Sequence, residues 1–246
     1  MEALVFIGQG FEVAQYQLHA AVFGSVSETV VSRFVRRAET QGLIATERLH
    51  GIGMNRLRLT PRGRDQLVAE SEVEPELLFT PRRFVPLKDL SHTLWINDLR
   101  TALLTIGNRP SELLPAWALA RRVEPVCGLI PDLLATWPGD DGKLILACEI
   151  DLGSERLNGV FLPKLGRLAE ALDQRNASAR GGIVVLTRGA RRVTLIRDFA
   201  ARQNPDSPII ALELPLENGP AGLEELRSMF DVRSNVVDKP DKAAFG

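Results

Sequence analysis

The residues able to do chemistry cluster between Gly128 and Leu172. Pro131-Asp132 comes first, then the turn Pro138-Gly139-Asp140-Asp141-Gly142, then Cys148-Glu149-Ile150-Asp151, then a helical run containing Lys164. The turn separates two apolar stretches, 129–137 and 143–152. This predicts a hairpin with Asp132 on one strand and Glu149 and Asp151 on the next. Strand alternation puts Glu149 and Asp151 on one face, with Leu146, Cys148, Ile150 and Leu152 on the other. Two carboxylates on a strand that otherwise reads as core are costly without compensation. A divalent cation is one compensation, because hard cations take carboxylate oxygens.

The next helix supplies a second. Leu157, Phe161, Leu168 and Leu172 form one apolar stripe, and Lys164 falls inside it. A lysine on a buried helix face needs a partner, and the carboxylates of the preceding strand are the candidates. Pro163 either kinks this helix or marks the first turn of a shorter one beginning near Leu162. The alternative to a metal site is a buried Lys164–Glu149 or Lys164–Asp151 pair. Such a pair adds little net stability, because desolvation offsets most of the attraction. A fold has no need of it there, which favours a present or ancestral active site.

Asp132 after Pro131, Glu149-Ile150-Asp151 and Lys164 resemble the PD-(D/E)XK nuclease superfamily. The resemblance implies that Asp132 and Glu149 hold a magnesium ion, that Asp151 is a third ligand or holds a metal-bound water, and that Lys164 orients the attacking water. It implies that the ion makes water more acidic and stabilises charge developing on the phosphate. The chain departs from the pattern at Asp151, which stands where the usual motif has lysine. Some members supply that lysine from the following helix, where Lys164 lies. The departure bears on catalysis more than on fold.

These elements need a frame, and the chain before them is of another kind. Stretches 3–7 and 13–23 read as helices separated by Gly8-Gln9-Gly10. Ser25 and Glu28 have the spacing of a capping box. The helix it opens runs to about Gln41, with Gly42 as its stop. Val30, Val31, Phe34, Val35 and Ala38 form its apolar side and leave Ser27, Ser32, Arg33, Arg36 and Arg37 outside. Stretches 43–49 and 54–59 make a two-stranded ribbon, and Thr60-Pro61 opens another helix. This order resembles bacterial winged-helix regulators over residues 5–70. Between Arg33 and Arg64 there are eight arginines and two glutamates, a local charge of +6 in a chain of net charge −1. Arginine serves both phosphates and base edges, and a helix of this type enters the major groove. The resemblance and the charge make Ser27, Ser32, Arg33, Arg36, Arg37, Arg48, Arg56 and Arg58 the candidate contacts to double-stranded DNA. A solvated charged face is the plain alternative.

Domain boundaries follow from composition: a winged helix over 1–70, a linker over 71–88 rich in Glu and Pro, a nuclease-like domain over 89–232, and a polar tail over 233–246. The linker reads as solvated chain. Residues 87–106 form a strong helix with Leu90, Leu94, Ile96, Leu99, Leu103 and Leu104 inward. On it, His92 reads as a residue satisfied by a local hydrogen bond. Asp98 either donates a carboxylate to the site or is a surface residue paired with Arg100 or a neighbouring loop. Stretch 113–123 reads as the first strand of the sheet. Strands at 183–187 and 208–214 alternate with helices at 191–203 and 223–230. The fold class is α/β (α+β): an N-terminal winged helix-turn-helix followed by a restriction-endonuclease-like mixed sheet flanked by helices.

Composition sets limits. Hydrophobic content of 45% and charged content of 25% are ordinary for a globular protein. No apolar run reaches membrane-spanning length. Met1 is followed by Glu2 rather than a basic segment and a long apolar run, so no signal peptide is expected and the cytoplasm is the expected compartment. Cys127 and Cys148 have no metal spacing; Cys148 reads as a buried strand residue. No phosphate-binding glycine motif or Gly-x-Ser-x-Gly is present, which excludes the commonest nucleotide and serine hydrolases.

The full arrangement resembles the replication-relaxation family of plasmid and mobile-element proteins. The resemblance rests on a winged helix, His92 and Asp98 on the next helix, Pro131-Asp132, then Glu149, Asp151, Gly153 and Glu155, then Lys164-Leu165. It implies a DNA-binding protein acting in replication, copy-number or transcription control. A homodimer is expected from winged-helix regulators that read two half-sites. The alternative is a magnesium-dependent DNA endonuclease using Asp132, Glu149 and Lys164.

Overall fold

The computed structural model describes residues 1–49, 53–122, 129–139, 142–174, 179–203 and 209–237. His50, Cys127, Asp140, Asp141 and the tail beyond Val237 lie outside them.

The first unit runs α1 (Glu2–Gln9), β1 (Val13–Ala14), α2 (Gln15–Leu18), α3 (Glu28–Thr40), β2 (Ile44–Leu49), β3 (Met54–Leu59) and α4 (Pro61–Glu70). Its sheet has the order β1-β3-β2 and is antiparallel throughout. This is the order and pairing of a winged helix. The ribbon falls where its sequence places it. The expected helix over 13–23 does not: Val13 and Ala14 pair with Leu57 and Arg56 as a third strand. A short wide helical turn, His19–Phe23, then replaces regular helix. The capping box at Ser25 is also corrected. The helix starts two residues later, with extended Ser27 at its N-cap, so Glu28 is its first residue. Val31, Val35 and Ala38 bury one face of α3 against Leu4, Ile7, Leu18 and Leu57. α4 begins as its sequence dictates: Pro61 sits in its first turn and the Thr60 hydroxyl accepts from the Gly63 amide at 3.1 Å. Gly63 permits this approach, because a Cβ there would lie 2.1 Å from the Leu43 carbonyl oxygen.

Residues 71–86 are a packed strap rather than solvated linker. Leu78 is buried in the core of the first unit. The Phe79 amide donates to the Gly8 carbonyl at 2.8 Å, and its ring stacks on Phe11 at 4.3 Å. The Val85 amide donates to buried Glu12 at 2.7 Å.

α5 (Leu87–Thr105) follows, then β4 (Glu112–Pro115), α6 (Ala116–Arg122), β5 (Leu133–Gly139), β6 (Gly142–Asp151), α7 (Leu162–Gln174), β7 (Ala179–Thr187), α8 (Ala190–Gln203), β8 (Ile209–Glu213) and α9 (Pro220–Val237). The expected strand over 113–123 divides: four residues are strand and Ala116–Arg122 are helix. The last helix, expected over 223–230, runs over Pro220–Val237 and so enters the stretch read as polar tail. The second sheet has the order β4-β5-β6-β7-β8. β4, β5 and β6 are antiparallel; β6, β7 and β8 are parallel. One sheet face packs on α5 and α9 through Cys148, Ile150, Val184 and Leu186. The other packs on α7 and α8 through Ala147, Ile183, Val185 and Ala211. Alternation along β6 therefore sends Glu149 and Asp151 towards α7 and α8. The molecule is α+β, with both sheets placed as layers against helices.

α5 is buried nearly all round, because it is clamped between the two units. Asn97 donates to the carbonyls of Gly10 and Glu12, both at 2.9 Å. Arg100 donates to the Phe6 carbonyl at 3.1 Å and the Gln9 side chain at 2.9 Å. Asp98 accepts from the Tyr16 hydroxyl at 2.7 Å, Gln17 at 2.8 Å and Asn218 at 2.9 Å. Burial, opposed by these donors, pushes the Asp98 carboxyl up to about 6. Both expectations for Asp98 are thus corrected: it is neither a surface partner of Arg100 nor part of the acidic pocket. Gly10 allows the clamp to close, since a Cβ there would lie 2.9 Å from Asn97 Oδ1 and 2.2 Å from Val13.

Candidate functional site

The acidic pocket forms at the carboxyl end of β6, the end at which α/β sheets commonly bind ligands. Three helices reach it. α7 brings Lys164, whose ammonium donates to Glu149 Oε2 at 2.7 Å. Pro163 lies in the first turn of α7, which begins at Leu162 directly after a wide helical turn, Leu157–Phe161. α8 brings Arg192, which grips both oxygens of Asp151. α5 brings His92, whose Nε2 lies 3.2 Å from Asp132 Oδ2 and 3.2 Å from the Ile150 carbonyl.

Asp132 sits in the bend just before β5 rather than on the strand. Its Oδ2 also accepts from the Ile150 amide at 2.8 Å, which ties the start of β5 to the end of β6. Glu149 is 2% exposed, and its Oε1 is buried without a hydrogen-bond partner. Burial, and then the nearby Asp132 charge, push the Glu149 carboxyl up to about 7, against the pull of Lys164. Burial alone would lower the Lys164 ammonium. The Glu149 charge and hydrogen bond outweigh it, and the net shift is upward. The bond to Asp132 raises the His92 imidazole against the effect of burial.

Asp151 has a different role. Besides Arg192 it accepts from the Thr187 hydroxyl at 2.8 Å and the Gly153 amide at 2.9 Å. Arg192 also donates to the Glu155 carbonyl at 2.9 Å, so Asp151 and Arg192 together pin the turn after β6. The three carboxylates expected to share a metal do not converge. Among the described residues no group of three His, Cys, Asp or Glu side chains is placed to hold a metal ion. The donor chemistry that fits a hard cation is the smaller set of Asp132, Glu149 and the Ile150 carbonyl, with the unpartnered Glu149 Oε1 as its clearest open oxygen.

Sequence reasoning brought Glu149 and Lys164 together correctly and missed Arg192. An Arg-Arg pair opening a helix after the strand next to an acidic one was the available signal. It also undervalued His92, whose bonds run not to its own helix but to residues 40 and 58 positions away.

The second candidate surface is the outer face of α3. Ser27, Ser32, Arg33, Arg36 and Arg37 are all exposed there, and Arg48 is exposed on β2. Arg56 is corrected. It is buried, with its guanidinium 2.8 Å from Glu12 and 2.5 Å from Glu47. Arg58 is half-buried, donates to the Pro81 carbonyl at 2.6 Å and lies over the Phe84 ring. These two arginines hold the strap, and burial sets Arg56 apart from the exposed candidates.

A winged helix clamped onto a mixed sheet that carries an acidic strand end defines a two-part class of protein. The chain belongs to the replication-relaxation family, whose sequence model matches residues 13–206. Membership points to a part in the replication of mobile elements. Among curated proteins none matches the chain significantly. Among the described residues no helix is long and apolar enough to cross a membrane.

Proposed function

We propose that the chain is a double-stranded DNA-binding protein of a plasmid or other mobile element that controls its replication, copy number or transcription. The observation that carries this is the division of α3: Val31, Val35 and Ala38 are buried, while Ser32, Arg33, Arg36 and Arg37 are exposed opposite them. A helix so divided can lie in the major groove, with arginines on phosphates and guanine edges and Arg48 on the flanking backbone. Residues 1–70 are the reading unit, the strap fixes it, and 89–232 form a nuclease-like domain that grips DNA or partners. Two copies reading two half-sites is the arrangement the winged helix favours.

The test is binding of wild type and Arg33→Ala/Arg36→Ala to duplex DNA across a salt series. Salt-sensitive binding that collapses in the double variant supports the reading; equal binding by both sinks it.

A second reading is favoured by the unpartnered Glu149 Oε1. Here the acidic pocket is a metal-dependent endonuclease site. Asp132, Glu149 and the Ile150 carbonyl would hold Mg2+, which would supply charge stabilisation at the phosphate. Lys164 would orient water from its place beside Glu149. Asp151, engaged by Arg192, would shape the turn rather than bind the ion. Nicking of supercoiled plasmid that depends on Mg2+ or Mn2+ and is lost in Asp132→Ala and Glu149→Ala is the result this reading requires.

A further inference from the structure

We propose that His92 is a plug in the acidic pocket: it occupies oxygens that a divalent cation would take, and it must swing out before one can bind. The inference rests on the second reading, in which Asp132 and Glu149 form a cation site. Two hard oxygens from separate elements, Asp132 Oδ2 and the Ile150 carbonyl, converge on one ring nitrogen, each at 3.2 Å. Both are acceptors, so Nε2 carries the proton and the ring faces them as a donor. An N–H pointed at a carboxylate and a carbonyl sits where a positive ion would sit.

The surrounding groups are ready without the ring. The Ile150 amide holds Asp132 Oδ2 at 2.8 Å, so that carboxylate keeps its position when the imidazole leaves. Glu149, the neighbour of Ile150, has Oε2 on Lys164 and leaves Oε1 buried and unmatched. A buried carboxylate oxygen without a donor is a standing cost that a cation would remove. The His92 side chain is 41% exposed, so it has solvent to move into, whereas Glu149 at 2% has none.

The test uses Mn2+ as the probe and the full chain. Calorimetric titration of wild type, His92→Ala and Glu149→Gln measures affinity directly, with no cleavage readout. His92→Ala is expected to bind Mn2+ about tenfold more tightly, the scale of one net hydrogen bond no longer displaced. Glu149→Gln is expected to bind weakly or not at all. Equal or weaker binding by His92→Ala, with wild type binding, overturns the plug while leaving the second reading standing. No binding by either overturns both. A second measurement needs no variant. The chain has three histidines, and an imidazole NMR spectrum during Mg2+ titration should move the His92 ring signals alone. Unmoved His92 signals under Mg2+ would also overturn the proposal.

Discussion

The Lys164 ammonium lies 2.7 Å from Glu149 Oε2, and the other oxygen of the same carboxylate has no partner. Lys164→Met should therefore leave the Glu149 carboxylate buried with no donor and destabilise the fold by about 3 kcal/mol at pH 8. The penalty is pH-dependent. Glu149 in the folded chain is raised from 4.5 to about 7. A raised carboxyl takes up its proton more readily in the fold, so its unfavourable effect grows as pH rises through that window. Urea unfolding at pH 5 and pH 8 should show a larger loss at pH 8. Equal losses would mean the pair is not coupled.

Asp98 gives a separate pH signature. Its carboxyl is raised from 3.8 to about 6 by burial. The folded chain then binds more protons than the unfolded chain between these values, and stability falls as pH rises through them. The full effect of such a shift is about 3 kcal/mol. Asp98→Asn should remove that slope, seen as a flatter difference curve from thermal melts between pH 4 and pH 7. An unchanged slope would place the titration elsewhere.

The arginines of the first unit should separate into two classes. Arg33→Ala/Arg36→Ala should lower the slope of log affinity against log salt by about 2, with melting unchanged. Arg56→Ala should instead destabilise the fold by about 3 kcal/mol, because Glu12 is left buried with its partner gone. Fluorescence anisotropy and thermal melts on the same samples distinguish the two.

Gly10→Ala should weaken the clamp between the units. Its Cβ would meet Val13 at 2.2 Å and Asn97 at 2.9 Å. A loss of about 2 kcal/mol is expected, as for overpacking in a core. Hydrogen exchange should rise first at residues 8–17 and along α5. A neutral result would show that the backbone yields there at little cost.

The sequence made the local elements legible wherever one pattern dominated. Residues 54–59 alternate and pair as read, and the Glu149 strand and Lys164 helix meet as their periodicities require. What failed was set by distant partners. Val13 and Ala14 look helical among their neighbours and become strand because β3 offers them an edge. Residues 116–122, AWALARR, are good helix formers in series, yet their Trp and Leu spacing also suits a strand. Asn97, Asp98 and Arg100 lie off the apolar stripe of α5, so periodicity places them in water. Only the backbone and side chains of residues 6–17, with Asn218, make them core. Arg56 read as a surface charge for the same reason: Glu12 is 44 residues away.

The seam along α5 has a consequence for inheritance. A winged unit cut off at the strap would keep Tyr16, Gln17 and the Gly10 and Glu12 carbonyls but lose the groups that satisfy them. The remainder would expose Arg100 and Asp98. Exchange of the first unit between related chains must then carry α5 along as far as Arg100. The joint at which such proteins can be recombined lies within that helix, not in the proline-bearing segment that resembles a boundary.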